Sequence, residues 1–389
     1  MRAVEQRAGV GAVAAIVLLS LNLRTIFASL PPLLDDVRAD LGLSAAASGL
    51  LTTGPVLCFA ILAPLAPRLT RRFPIERMLV VCGLLTAAGA GVRGVGGAAA
   101  LFLGTVLGGA AVAIAQTVLP VLVRSRHARQ AGPLTGSFSM SLTLGAAVAS
   151  GAAVPLERAL GGWRDALAIW AVPAALAALL WLPRALGPGT VVAGPRGRGV
   201  LRDPAAWSVA VYFGFQSGAF YSSLTWLPSI LRAHGWSASA AGTLLAVMNL
   251  VQFGPAFFVP VLAHRSHGQR GILVALVALA AAALAGLLAA PAAAPLWVVM
   301  LGLAQGAALG LGLILPVLRG GDVRTTASLT GMTLSVGYGM AALAPFVVGA
   351  VRDTSGGWTL PLVVILAITL AELPAGLPAT RAQRLSATS

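Results

Sequence analysis

Arg24 is the one formal charge that falls near the middle of a long apolar run. Its guanidinium stays ionised and presents a planar fork of donors, a shape suited to a small planar anion. An arginine at the centre of a bilayer costs about 2.5–3.5 kcal/mol on insertion scales, so it must face a protein interior or a wet cavity. No Asp or Glu lies near the centre of any run to pair with it, and the nearest, Glu372, sits toward the end of the last run. Arg24 therefore either binds an anion or ties its helix to backbone carbonyls of a neighbour. Asn22 is two residues away, about 200° around a helix, and suits an interhelical hydrogen bond instead.

Amides and aromatics supply the other candidates. Gln116, Gln216 and Gln305 each occupy a separate apolar run. A glutamine both donates and accepts, so it can ring an anion or a neutral polar ligand without burying a second charge; the same group also glues helices together, for under about 1 kcal/mol each. Asn249 with Gln252, and Ser335 with Tyr338, pair at a three-residue spacing on one helix face. Tyr221 stands near Trp226, and Phe138 lies among Ser137, Ser139 and Ser141. Enzyme chemistry finds no footing. The histidines, His127, His234, His264 and His267, fall in loops, no carboxylate pair or His/Cys cluster has metal spacing, and without a single lysine there is no Gly-x4-Gly-Lys phosphate loop. No cofactor or metal is expected.

These side chains must be positioned by membrane helices. Of 389 residues, 58% are apolar and 10% charged, with a mean hydropathy of +0.90, whereas soluble domains carry about 25% charged residues. Twelve runs are long enough to cross a bilayer, at 10–34, 44–66, 77–95, 99–123, 133–157, 165–183, 206–231, 238–262, 271–290, 295–318, 325–351 and 357–378. None alternates at period two, which excludes a β-barrel. The first run is too long for a cleaved signal and reads as a retained span. Cys58 and Cys82 lie inside runs, where thiols pack as small hydrophobes rather than forming a disulfide. The net charge of +15 comes wholly from short arginine clusters between spans. That pattern is one of membrane topology and offers no basic face for nucleic acid.

Nineteen arginines fall on the side of the chain ends, six (Arg38, Arg93, Arg158, Arg164, Arg232 and Arg352) on the other, and Arg24 within a span. Both termini are thus expected to be cytoplasmic. Gly161-Gly162-Trp163 recurs as Gly356-Gly357-Trp358 and Leu134-Thr135-Gly136 as Leu329-Thr330-Gly331, both 195 residues apart. Leu119-Pro120-Val121-Leu122 recurs at 315–318, and Leu65-Ala66-x-Arg68 at 262–265. Four matches in order point to a duplication. The chain then divides into a six-helix bundle over 1–183, a hydrophilic linker over 184–205 rich in Gly, Pro and Arg, and a second six-helix bundle over 206–389.

The duplicated twelve-span plan, with its basic loop of Arg68, Arg71 and Arg72 after the second span, resembles the major facilitator superfamily. Leu21-Asn22-Leu23-Arg24, Phe213-Gly214-Phe215-Gln216-Ser217, Phe220-Tyr221, Thr225-Trp226-Leu227-Pro228 and Ser335-Val336-Gly337-Tyr338 resemble its cyanate permease and 2-nitroimidazole transporter family. Span 5 lacks the Gly-Pro-x-x-Gly-Gly signature of drug/proton antiporters. The resemblance implies an all-α membrane protein of two pseudo-symmetric six-helix bundles, a monomer among membrane lipids in a bacterial inner membrane. It also implies that spans 1, 4, 7 and 10 line the central cavity, so that Arg24, Gln116, Gln216 and Gln305 would surround a small anionic solute, with Tyr221, Tyr338, Asn249 and Phe138 as further contacts. An exporter of a neutral aromatic or nitroimidazole-like compound is the alternative. Glu372, in a last span of peripheral look, is the sole acid on offer for proton coupling.

Overall fold

A computed structural model describes residues 10–62, 65–126, 131–191, 200–266, 268–320 and 323–380. Among them the chain is helical and makes twelve passages. Span 1 is built in pieces, Val10–Asn22, Thr25–Ala28 and Leu34–Leu41, and span 2 is Ala45–Leu62 followed by Ala66–Leu69. Span 3 is Ile75–Val95, span 4 Ala98–Arg126, span 5 Ala131–Leu160, and span 6 Trp163–Ala168 with Ala171–Ala185. The second half follows the same order. Span 7 is Pro204–Ala233, span 8 Ala238–Val251 with Phe253–Arg265, span 9 Arg270–Ala289, span 10 Ala294–Arg319, span 11 Val323–Ser355 and span 12 Thr359–Ala379. An even number of passages returns the chain to the face on which it began, here the terminal face; the opposite one is the far face.

Eleven of these passages have the length and hydropathy to cross a membrane. Span 7 is the exception, because it buries Tyr212, Gln216, Ser217, Ser222, Ser223 and Thr225 in protein rather than showing an apolar surface to lipid. At 30 residues it is nonetheless about 45 Å long. The breaks have local causes. In span 1, Thr25 Oγ1 donates to the Asn22 carbonyl at 2.9 Å and Asn22 Nδ2 to the Leu18 carbonyl at 2.8 Å, so side chains compete for the acceptors the helix needs. Pro31 and Pro32 then lack the amide hydrogens to continue it.

The repeats seen in the sequence occupy equivalent turns. Gly161 and Gly356 both take positive φ, 87° and 68°, between spans 5 and 6 and between spans 11 and 12, a conformation that only glycine adopts without strain. Trp163 and Trp358 follow at the same place, each with an arginine over its ring, Arg164 at 4.4 Å and Arg352 at 5.2 Å. A second equivalence lies on the terminal face. Glu76 at the start of span 3 accepts from the Thr190 amide at 2.8 Å and its hydroxyl at 2.7 Å, and pairs with Arg126 of span 4 at 3.1 Å. Arg319 of span 10 meets Gln269, just before span 9, at 2.5 Å and the Ala379 carbonyl at 2.7 Å.

The halves meet along spans 2 and 11 and spans 5 and 8. Small residues permit that approach: a Cβ added at Gly49 would sit 2.6 Å from the Pro345 carbonyl oxygen, and one at Gly349 2.5 Å from that of Ala45. Two placements differ from the sequence expectation. Arg93, assigned to an external loop, is a fully buried residue near the end of span 3, and its Nη1 donates to the Ile26 carbonyl at 3.3 Å. Glu372 is only 3% exposed, because span 12 packs this face against spans 7 and 9. Arg24 is therefore not the sole charge inside the bundle.

Candidate functional site

The break in span 1 presents Arg24 where the two halves face each other. Its guanidinium lies 6.0 Å from the Phe27 ring, three residues on and hence on the same side of the chain. Phe27 in turn approaches Phe59 of span 2 at 6.0 Å and Tyr221 of span 7 at 6.3 Å. Tyr338 of span 11 closes the group, 5.1 Å from Phe59, 5.3 Å from Phe213 and 6.3 Å from Tyr221. Rings from both halves thus form one box, with Phe220 against its Tyr221 corner at 5.1 Å. Tyr338 is the sixteenth residue of its 33-residue span, about 23 Å from either end and so near the membrane midplane.

Arg24 is half-buried and, among the described residues, has no ion pair and no side-chain hydrogen bond. A cation at 6 Å from a ring face gains about 0.5–1 kcal/mol where exposed and more where desolvated, which holds the guanidinium without using its donors. The fork is left free for a ligand, and the rings supply flat apolar walls. Asn22 points away, donating to the Pro173 carbonyl of span 6 at 3.2 Å, as an interhelical tie.

The other residues chosen from the sequence are dispersed. Tyr221 and Tyr338 join Arg24 at the box. Gln216 and Gln305 lie inside the second half, where with Thr369 and Glu372 they line a small pocket to which no residue of the box contributes. Gln305 Nε2 donates to Ser223 Oγ at 3.0 Å, and Gln216 Oε1 accepts from Ser217 Oγ at 3.1 Å. They do not form a ring around Arg24, because span 7 turns Gln216 toward spans 9, 10 and 12 and span 10 turns Gln305 toward the same pocket. Gln116 is partly exposed, its Oε1 without a partner among the described residues. Asn249 is buried and takes a 3.5 Å contact from Gln252, on a face of span 8 that Gly302 and Gly306 of span 10 pack against. Phe138 is buried in span 5 but, among the described residues, forms no ring pair with the box. Sequence reasoning missed Phe27, Phe59 and Phe213. The three-residue spacing from Arg24 marks Phe27, and Phe213 stands in the span 7 stretch that carries the family resemblance; Phe59 sits in an apolar run with nothing to single it out.

The far face is closed above this box by polar contacts between the halves. Arg232 at the end of span 7 grips Asp36 of span 1 at 3.0 and 3.3 Å and lies 3.6 Å from Asp35, which also accepts from Ser229 at 2.7 Å. Asp353 of span 11 accepts from the amides of Ala45 and Ala46, both at 2.8 Å, capping the first turn of span 2 from the other half.

Twelve helices in two equivalent halves around a box between them narrow the choice of family, and the profile of the Major Facilitator Superfamily matches residues 12–345. The chain belongs to the major facilitator superfamily. Within it, this major facilitator protein is 36% identical to the 2-nitroimidazole transporter of Escherichia coli (strain K12) over 375 residues, 95% of each chain. It is 30% identical to the cyanate transport protein of the same organism, over 93% of this chain and 97% of that one. It is therefore a multi-pass membrane transporter of the cyanate and nitroimidazole branch. Among solved structures, a bacterial homolog of the human lysosomal transporter Spinster superposes with a TM-score of 0.81 at 17% identity, over 97% of this chain and 98% of that one.

Proposed function

We propose that this transporter moves a small anion, cyanate-like or a small organic acid, by alternating access, with Arg24 as the anion-binding group. The observation that carries the reading is the free guanidinium of Arg24, unpaired among the described residues and open to the box between the halves. A carboxylate or cyanate there gains a charge-assisted, two-pronged bond, while Phe27, Phe59, Tyr221 and Tyr338 sandwich its flat body. Binding draws residues of both halves together, so occupancy favours closure. The halves, 1–183 and 206–389 joined by the linker 184–205, rock about this point. The excess of arginine on the terminal face supports a cytoplasmic location for it, in a bacterial inner membrane, with the protein acting as a monomer.

The aromatic box favours a second reading, export of a neutral nitroimidazole-like compound held by stacking alone. One experiment separates the two. Thermal unfolding of the purified chain is followed with cyanate, nitrate, benzoate and 2-nitroimidazole, alongside Arg24→Ala. A ligand at 100 times its Kd stabilises by about 2.7 kcal/mol. Stabilisation by an anion that vanishes in Arg24→Ala supports the first reading. Stabilisation by 2-nitroimidazole alone, undiminished in Arg24→Ala, overturns it in favour of the second.

A further inference from the structure

The pocket inside the second half is built around an acid that the anion site does not use. Glu372 of span 12 is 3% exposed. Among the described residues it has neither an ion pair nor a hydrogen bond. Alanines and a leucine of spans 7, 9 and 10 form the apolar part of the wall, and the polar part is Gln216, Gln305 and Thr369. No Arg, His or Asp lines it, and span 11, which also packs on span 12, sends it no titratable side chain. The one titratable group nearby is Tyr212 of span 7, whose hydroxyl already donates to the Ala308 carbonyl at 3.1 Å. There is room for about one water molecule.

Charge and hydrogen bonding together decide what such a pocket holds. Gln305 spends one donor on Ser223, and its Oε1 is buried without any donor. Thr369 gives its hydroxyl hydrogen to the Ile365 carbonyl at 3.0 Å. An ionised Glu372 would stand as an uncompensated charge against alanine and leucine, faced by no cation and only by the neutral amides of Gln216 and Gln305. A protonated Glu372 carries no charge and can donate to the unmatched Gln305 Oε1 through the one water the pocket admits.

We propose that Glu372 is a proton-binding site, loaded in the closed pocket and emptied to water when spans 7, 9, 10 and 12 part. Loading forms one O–H bond on a carboxylate oxygen and neutralises one charge; unloading returns the proton to solvent, with no redox partner. The site is wired to the central box, since Gln305 holds Ser223, two residues along span 7 from Tyr221. Loss of the proton leaves a carboxylate that draws the Gln305 amide N–H away from Ser223 and so loosens its hold on span 7. This makes the transporter H+-coupled through its second half whatever solute the box takes.

Infrared difference spectroscopy of the full-length protein, without any solute, tests the site independently of the anion reading. The other deeply buried acid, Glu76, is held by Arg126 and Thr190. The expected result is a neutral carboxylic acid band in the wild type at pH 7 that is missing in Glu372→Gln and lost as a single titration on raising the pH. An absent band, or one that survives in Glu372→Gln, overturns the proposal. Should the variant fail to fold, the wild-type titration alone decides: no alkaline loss of the band overturns it. Thermal stabilisation of the wild type but not Glu372→Gln by sodium over choline would overturn it in favour of a metal cation. In vesicles, Glu372→Gln retains exchange of labelled solute and loses accumulation driven by a pH gradient; equal accumulation in both overturns the coupling.

Discussion

Replacing Arg232 by alanine removes the main ionic tie across the far face. Three contacts go: the two prongs on Asp36 at 3.0 and 3.3 Å and the arm toward Asp35 at 3.6 Å. The side chains are 29% exposed for Arg232 and 39% for Asp36, so each pair is discounted for screening to about 0.5–1 kcal/mol. Their sum, about 1–2 kcal/mol, corresponds to a roughly five- to thirtyfold rise in the ratio of far-face-open to far-face-closed molecules. The closure does not vanish, because Asp353 still caps span 2 and Ser229 still binds Asp35. Spin labels at Leu160 and Ala233, at the far-face ends of spans 5 and 7, report the separation in a background where Cys58 and Cys82 are serine. Pulsed electron resonance should show the long-distance population growing by that factor in Arg232→Ala. Raising salt should move the wild type part of the way and the variant little. An unchanged distance distribution at low salt would refute the latch.

Two further perturbations follow from the same geometry. Gly49→Ala and Gly349→Ala place a methyl 2.6 and 2.5 Å from carbonyl oxygens of the opposing helix, so each should open the far face in the same label assay by more than Arg232→Ala does. Arg93→Met should change the unfolding free energy by no more than about 1–2 kcal/mol, because Arg93 has one 3.3 Å bond and its Nε and Nη2 have no partner among the described residues. A loss of about 3–5 kcal/mol, read by chemical or thermal unfolding, would reveal a paired counter-charge.

The membrane plan was plain in the sequence because a bilayer leaves few options: long apolar runs must be helices, and arginines must stay out of them. The duplication was legible for the same reason that Gly161 and Gly356 are irreplaceable, since a positive-φ turn retains its residue after the rest has drifted. Arg24 declared itself by charge. Side-chain direction was not legible. Gln216 and Gln305 had the right chemistry on the right spans, but the rotations of spans 7 and 10 send them to an inner pocket, and helical runs apolar all round carry no moment from which to read rotation. Arg93 was lost because it stands close enough to a span end to pass for a loop residue. Glu372 looked peripheral because span 12 comes last, whereas packing against spans 7 and 9 encloses it.

Duplication gave the two halves matching outlines and different mechanics. Span 1 is interrupted at Asn22–Thr25 and again at Pro31, whereas its counterpart, span 7, runs unbroken from Pro204 to Ala233. One is a jointed arm whose elbow carries Arg24; the other is a stiff lever. A torque applied at the solute can bend the first locally, but the second transmits it over its whole length to Arg232 at the far end. The elbow adapts to what is held, and the lever converts holding into the opening or shutting of a door at Arg232, eleven residues of helix beyond Tyr221.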